Sequence, residues 1–125
     1  MRLLIDTTVF VDFLRGYPQA VRYLRDLEYK PFVSAMTVTE LYGAVREGVE
    51  RQTLDRVLTG YEHVPIDDMV AEKGGLMFRK FSRSHGVGLA DALIAACADL
   101  VSAQLVTHNR GHFPMLAEVL VPYGD

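Results

Sequence analysis

Short apolar runs alternate along this chain with longer stretches whose apolar residues recur every three or four positions. Arg2 to Ile5 is a run of the first kind; it ends at Asp6 and reads as a buried parallel strand. Val9, Val11, Phe13 and Leu14 then mix with Asp12 and Arg15, which predicts a short helix stopped by Gly16. Pro18 suits the first turn of a second helix carrying Val21, Leu24 and Leu27 at helical spacing. Pro31 to Ala35 reads as another brief strand with proline at its entry. A helix beginning near Thr37 has Val38, Leu41, Tyr42 and Val45 on one face and ends at Gly48.

The second half repeats the alternation. Leu54, Val57, Leu58 and Tyr61 form a helical stripe ending around Gly60, and His63 to Ile66 reads as a third strand or extended connection. Asp67 or Asp68 caps a helix through Val70, Met77 and Phe81, within which Gly74-Gly75 predicts close packing or a kink. Leu89 to Val101 is the clearest helix, with Ala90, Leu93, Ile94, Cys97 and Val101 on one face. Leu105 to Thr107 and Val119 to Val121 supply the last strands. Strands alternating with helices predict an α/β fold, a three-layer α/β/α sandwich around a mostly parallel central sheet. No repeat or linker divides the chain, so residues 1–125 are expected to form one domain.

Composition narrows the function. Half of the 125 residues are hydrophobic, which excludes a disordered chain. The net charge of −3 does not advertise a nucleic-acid binder, so any RNA must be drawn by bound metal and local basic residues. A single cysteine, Cys97, lies in an apolar run and excludes both a disulfide framework and a cysteine-based zinc site. Asp6 and Asp12 interrupt the N-terminal apolar stretch, so no signal peptide is expected, and no apolar segment approaches bilayer length. A cytoplasmic protein is the expectation.

Three acids stand where strand-like or polar segments give way to helices: Asp6, Glu40 and Asp91. Asn109 follows the apolar run Leu105-Val106-Thr107. In a parallel α/β sheet such positions converge on the crevice outside the carboxyl ends of the strands. Carboxylates gathered there repel one another unless a hard divalent cation holds them, which points to metal-dependent chemistry on a phosphate ester. Each acid also has a local explanation. Asp6 is a suitable N-cap, Thr37-x-x-Glu40 is a capping-box pattern, and Asp91 in a first helical turn complements the macrodipole. A cap needs one acceptor, whereas a metal site needs several acids at one sheet edge.

Four blocks carry a resemblance: Leu4-Ile5-Asp6-Thr7-Thr8-Val9, Ser34-x-x-Thr37-Val38-Thr39-Glu40-Leu41, Leu89-Ala90-Asp91-Ala92-Leu93-Ile94-Ala95-Ala96, and Leu105-Val106-Thr107-His108-Asn109-Arg110-Gly111-His112-Phe113. In this order, across nearly the whole chain, they resemble PIN-domain ribonucleases and, within them, VapC toxins of toxin–antitoxin pairs. The resemblance implies a PIN-like fold and a catalytic set of Asp6, Glu40, Asp91 and Asn109, the three acids holding Mg2+ or Mn2+. Many PIN domains carry aspartate where Asn109 stands, and asparagine contributes a carbonyl and an amide but no charge. Thr107 is expected to place its hydroxyl near the metal shell, or simply to be a β-branched strand residue, and Thr7 to support Asp6. The resemblance also implies an RNA substrate, structured RNA such as tRNA or rRNA, together with a homodimer and a VapB-type antitoxin.

Other residues are weighed beside these. Asp12 reads as an exposed helix acid, and Asp99 as a solvated one rotated roughly 80° from Asp91 on an ideal helix. His108 and His112 titrate near neutrality but lack a partner acid at readable spacing, and His112 before Phe113 looks structural. Among Arg46, Lys73, Arg79, Lys80, Arg83 and Arg110, the RNA-binding candidates are Arg110, beside Asn109, with Arg79 and Arg83. Tyr17, Phe32, Tyr42, Leu76 and Phe81 are candidates for core, dimer or antitoxin contacts, with core the default for each. A catalytically weak PIN module that binds RNA or a regulatory partner is the alternative function. A phosphatase of the haloacid dehalogenase kind wants an acid where Thr8 stands, and a metal-independent ribonuclease would rely on His108 and His112.

Overall fold

The computed structural model describes residues 1–124, so the expected domain limit at Asp125 lies outside the described residues. Five strands occur among them: β1 (Leu3–Ile5), β2 (Phe32–Ser34), β3 (Glu62–Val64), β4 (Gln104–Val106) and β5 (Val119–Leu120). They form one sheet in the order β3-β2-β1-β4-β5. Every pairing is parallel, with Leu4 opposite both Phe32 and Leu105, Ile5 opposite Val106, and Leu105 opposite Val119. The expected mostly parallel sheet is thus wholly parallel.

Six α-helices cover its two faces: α1 (Thr7–Leu14), α2 (Pro18–Arg25), α3 (Ala35–Ala44), α4 (Val49–Leu58), α5 (Asp68–His85) and α6 (Leu89–Leu100). Leu4 and Leu105 point to one face and pack with Val70 of α5 and Ile94, Cys97 and Ala98 of α6. Ile5, Val33 and Val106 point to the other and pack with Val9 and Phe10 of α1, Leu41 of α3 and Leu54 and Leu58 of α4. β1, β2 and β4, enclosed on both faces, therefore read as short apolar runs without polar alternation, whereas edge strand β3 exposes Glu62 and His63. The result is the three-layer sandwich.

Local chemistry sets the helix limits. Asp6 caps α1, and Gly16 follows its end at φ +76°, a conformation that suits glycine. Pro18 opens α2, which ends at Arg25, so Leu27 packs on the core from beyond the helix. The Ser34 hydroxyl accepts from the Met36 amide at 3.0 Å and starts α3 two residues earlier than the pattern suggested. Thr37 therefore lies inside α3, and the capping box expected from Thr37 and Glu40 does not form. Gly48, expected to end that helix, instead precedes α4.

The Asp67 carboxylate caps α5 through the Val70 amide at 2.9 Å. The two glycines inside α5 differ. A Cβ on Gly74 would stand 2.8 Å from Leu93 Cδ2, whereas one on Gly75 would meet open space. Close packing at Gly74 is what lets α6 lie against α5. Helix α6 is buried well beyond one face, with Ala92, Ala95 and Ala96 enclosed beside Ile94 and Cys97.

The chain lays down β1, β2 and β3 in one direction, then crosses to the other side of β1 for β4 and β5. The order reverses between β1 and β4, the position where open α/β sheets bind ligands. No described helix is long and apolar enough to cross a membrane.

Candidate active site

Asp6 leaves β1 at this reversal. Its amide donates to the Val106 carbonyl at 2.9 Å, extending the ladder by one residue, and its side chain is only 4 % exposed. Oδ1 accepts from the Thr7 amide at 2.8 Å, which is the cap. Oδ2 accepts from Thr107 Oγ1 at 2.6 Å and from Thr8 Oγ1 at 3.1 Å. The cap uses one oxygen; a fully buried threonine 101 residues away in sequence fixes the other. A local cap requires no such partner.

Thr107 acts twice. Its hydroxyl donates to Asp6 and accepts from the Asn109 amide at 2.9 Å, so the loop after β4 is tied to the carboxylate after β1. Asn109 itself precedes a 3-10 turn (Arg110–His112) and its side chain makes no capping bond there. Asn109 is half-buried.

Glu40 reaches the site from α3. Its Oε1 accepts from Thr7 Oγ1 at 2.7 Å, and Thr7 Oγ1 lies 2.9 Å from the hydroxyl of buried Thr37. With Thr7 donating to Glu40, Thr37 donates to Thr7. Thr7 was expected to support Asp6; its amide does, but its hydroxyl orients Glu40.

Asp91 stands in the first turn of α6 with its Oδ2 3.4 Å from His112 Nδ1. Burial raises the Asp91 carboxyl above its ordinary value, the His112 imidazole pulls it back, and the negative charges of Asp6 and Glu40 push it up again. The three acids therefore lie within electrostatic reach of one another. Among the described residues, no three His, Cys, Asp or Glu side chains are close enough to enclose an ion by themselves. The donor set is of hard oxygens with no thiolate, which fits an ion that keeps several waters and touches one or two carboxylates, as Mg2+ does.

The remaining candidates separate. Asp99 pairs with Lys73 at 2.5 Å, which removes that lysine from the free cations. Arg46 pairs with Glu50 at 2.6 Å. Helices α5 and α6 run antiparallel around Gly86, so exposed Arg83 lies at the same end as Asp91, with Arg79 one turn behind. Arg110 is exposed on the 3-10 turn after Asn109. Asp12 is half-buried and accepts from the Tyr123 hydroxyl at 2.9 Å, which corrects its reading as an exposed helix acid. His112, read as structural, contacts Asp91; the 3-10 turn that folds it back has no periodic signature. Phe32 packs on the core, while Tyr17, Tyr42 and Leu76 remain exposed.

Residues 3–118 match the PIN domain family. The chain belongs to that family. This PIN domain is 36% identical over 124 residues to Ribonuclease VapC10 of Mycobacterium tuberculosis, a match covering 97% of the chain and 92% of the relative. It is 37% identical to Ribonuclease VapC19 of the same organism, covering 96% of the chain and 98% of the relative. The PIN domain also superposes on a chain of a toxin–antitoxin complex from Klebsiella pneumoniae with a TM-score of 0.82 and 25% identity, covering 97% of this chain and 98% of that one.

Proposed function

We propose that this protein, as a single PIN domain over residues 1–125, is a metal-dependent endoribonuclease toxin of the VapC type, held inactive by a VapB-type antitoxin. The observation that carries the reading is the Thr107–Asp6 hydrogen bond at the sheet reversal, beside an Asp91 whose proton affinity is raised by burial first and by Asp6 and Glu40 after it. Relatives named ribonuclease across almost their whole length support it.

Asp6, Glu40 and Asp91 would hold Mg2+ or Mn2+, with Asn109 adding a neutral ligand or orienting a water. Held by these residues, directly and through water, such an ion would supply charge neutralisation for the phosphate and an activated water. Thr107 and Thr7 fix the carboxylates before substrate arrives, so little reorganisation is needed during reaction. Glu40 or Asp91 orients the attacking water, and Arg110, Arg79 and Arg83 contact the RNA backbone. The substrate is a structured RNA such as tRNA or rRNA. The protein acts in the cytoplasm as a homodimer, and its net charge of −3 leaves phosphate attraction to bound metal and these local arginines.

Co-expression with a VapB-type antitoxin, release of the toxin and mapping of new RNA ends against an Asp91→Asn control test the proposal. Specific ends that depend on divalent cation and vanish in the variant are expected. Cleavage that survives exhaustive chelation and Asp6→Asn overturns the metal mechanism. RNA binding without any metal-stimulated cleavage favours the binding-module alternative.

A further inference from the structure

A second cleft opens beside the acidic crevice, lined by Thr8, Asp12, Tyr17, His108, Tyr123 and Gly124. Thr8 joins the two: its hydroxyl donates to Asp6 Oδ2 at 3.1 Å while its side chain forms part of the cleft wall. His108 enters from the other side, between Thr107 and Asn109 in sequence. Whatever occupies this cleft lies next to the carboxylate assigned to catalysis.

The walls are aromatic. The Tyr17 and Tyr123 rings lie 5.8 Å apart, and the His108 ring meets Tyr123 edge-on at 4.5 Å. Tyr23 backs Tyr123 at 6.3 Å, while Tyr17 is 37% exposed and offers a free ring surface. The cleft holds about 360 Å³, within the range of small-ligand pockets.

Charge narrows the occupant. Among the described residues no lysine or arginine lines the cleft, and Asp12 stands in its wall, which disfavours a phosphate there. A neutral planar group with hydrogen-bond donors suits it. The Tyr123 hydroxyl donates to Asp12 Oδ2 at 2.9 Å, which fixes the carboxylate and leaves Oδ1 to accept from a ligand.

We propose that this cleft is a nucleobase subsite, which takes an unpaired base adjoining the scissile phosphate and selects one with an exocyclic amino group. The inference rests on the ribonuclease reading and adds a determinant of where cleavage falls. Tyr17 supplies stacking, which every base accepts. Asp12 supplies selection, because a carboxylate accepts from the amino groups of adenine, cytosine or guanine, whereas the one ring N–H on uracil's pairing edge is flanked by two carbonyl oxygens that repel it.

The test uses the full chain, Mg2+ or Mn2+, and total tRNA and rRNA beside a pool of RNA hairpins with randomised unpaired loops, whose cleaved ends are sequenced. The parent protein is expected to disfavour uracil at one position next to the cut. Asp12→Asn, which keeps shape but adds donors, is expected to relax or reverse that bias at the same position. Tyr17→Ala should raise KM roughly tenfold with kcat held within about twofold, the scale expected for one lost stacking contact. Tyr17→Phe should restore the parent KM. Unchanged bias in Asp12→Asn, or a fall in kcat without a rise in KM for Tyr17→Ala, overturns the subsite while leaving the ribonuclease reading intact. A parent protein that cleaves no RNA with either metal sinks the ribonuclease reading and the subsite with it.

Discussion

Thr107 donates to one site residue and accepts from another, so a single buried hydroxyl sets the spacing between Asp6 and Asn109. Thr107→Val keeps the shape and removes both bonds. It should cost about 1–3 kcal/mol of stability, because an amide and a carboxylate lose buried partners. It should also lower cleavage roughly 10- to 100-fold, the usual cost of losing a group that orients a metal ligand. Denaturant unfolding and single-turnover cleavage measure the two, with Thr107→Ser restoring most of each. Asp91 yields a pH prediction. Its carboxyl is raised on folding, so the native chain binds that proton more tightly than the unfolded chain. The associated stability is complete below the unfolded value and is lost as pH rises through the folded one. Without divalent cation, Asp91→Asn should therefore melt higher than the parent at neutral pH, with the difference closing below the ordinary aspartate range. A lower melting temperature at pH 7 would contradict this. Asp6, Glu40 and Asp91 were readable from the sequence because each ends a recognisable segment. The Thr7–Thr37 relay and the His112 contact were not, since they join side chains across segments with no shared period.

The elements themselves were mostly readable, since doubly buried strands and helical stripes leave distinct patterns. Their limits were less so. Thr37 with Glu40 imitates a capping box, yet Ser34 caps first and Thr37 turns inward toward Thr7. Leu27 continues the spacing of α2 although the helix has ended, because an apolar loop residue and a helical one bury the same area. The paired glycines of α5 permit a sharper prediction. Gly75→Ala should stabilise by about 0.5–1 kcal/mol through helix propensity alone, since nothing opposes its methyl group. Gly74→Ala should forfeit that gain and destabilise by about 1 kcal/mol, because Leu93 must leave its rotamer and α6 must shift. Opposite signs in paired thermal melts are the expected outcome, and two stabilised variants would refute the close packing.

At the scale of the whole molecule, a net charge of −3 keeps long-range attraction to RNA weak. If Arg79, Arg83 and Arg110 carry the backbone contacts, log K should fall against log salt with a slope of about −2 for single-stranded RNA, and Arg110→Ala should reduce it by about 0.7. Fluorescence polarisation across a salt series decides it, and a slope near zero removes these arginines from the interface. The sheet order has a further consequence. The strand that anchors Asp6 from its neighbour side comes from the last fifth of the chain, inserted between β1 and β5. While the ribosome is still translating, the N-terminal half can collapse, yet its aspartate lacks the threonine that orients it. Ordering of the Asp6 carboxylate therefore waits on a strand made late in synthesis, whenever the rest of the sheet has formed.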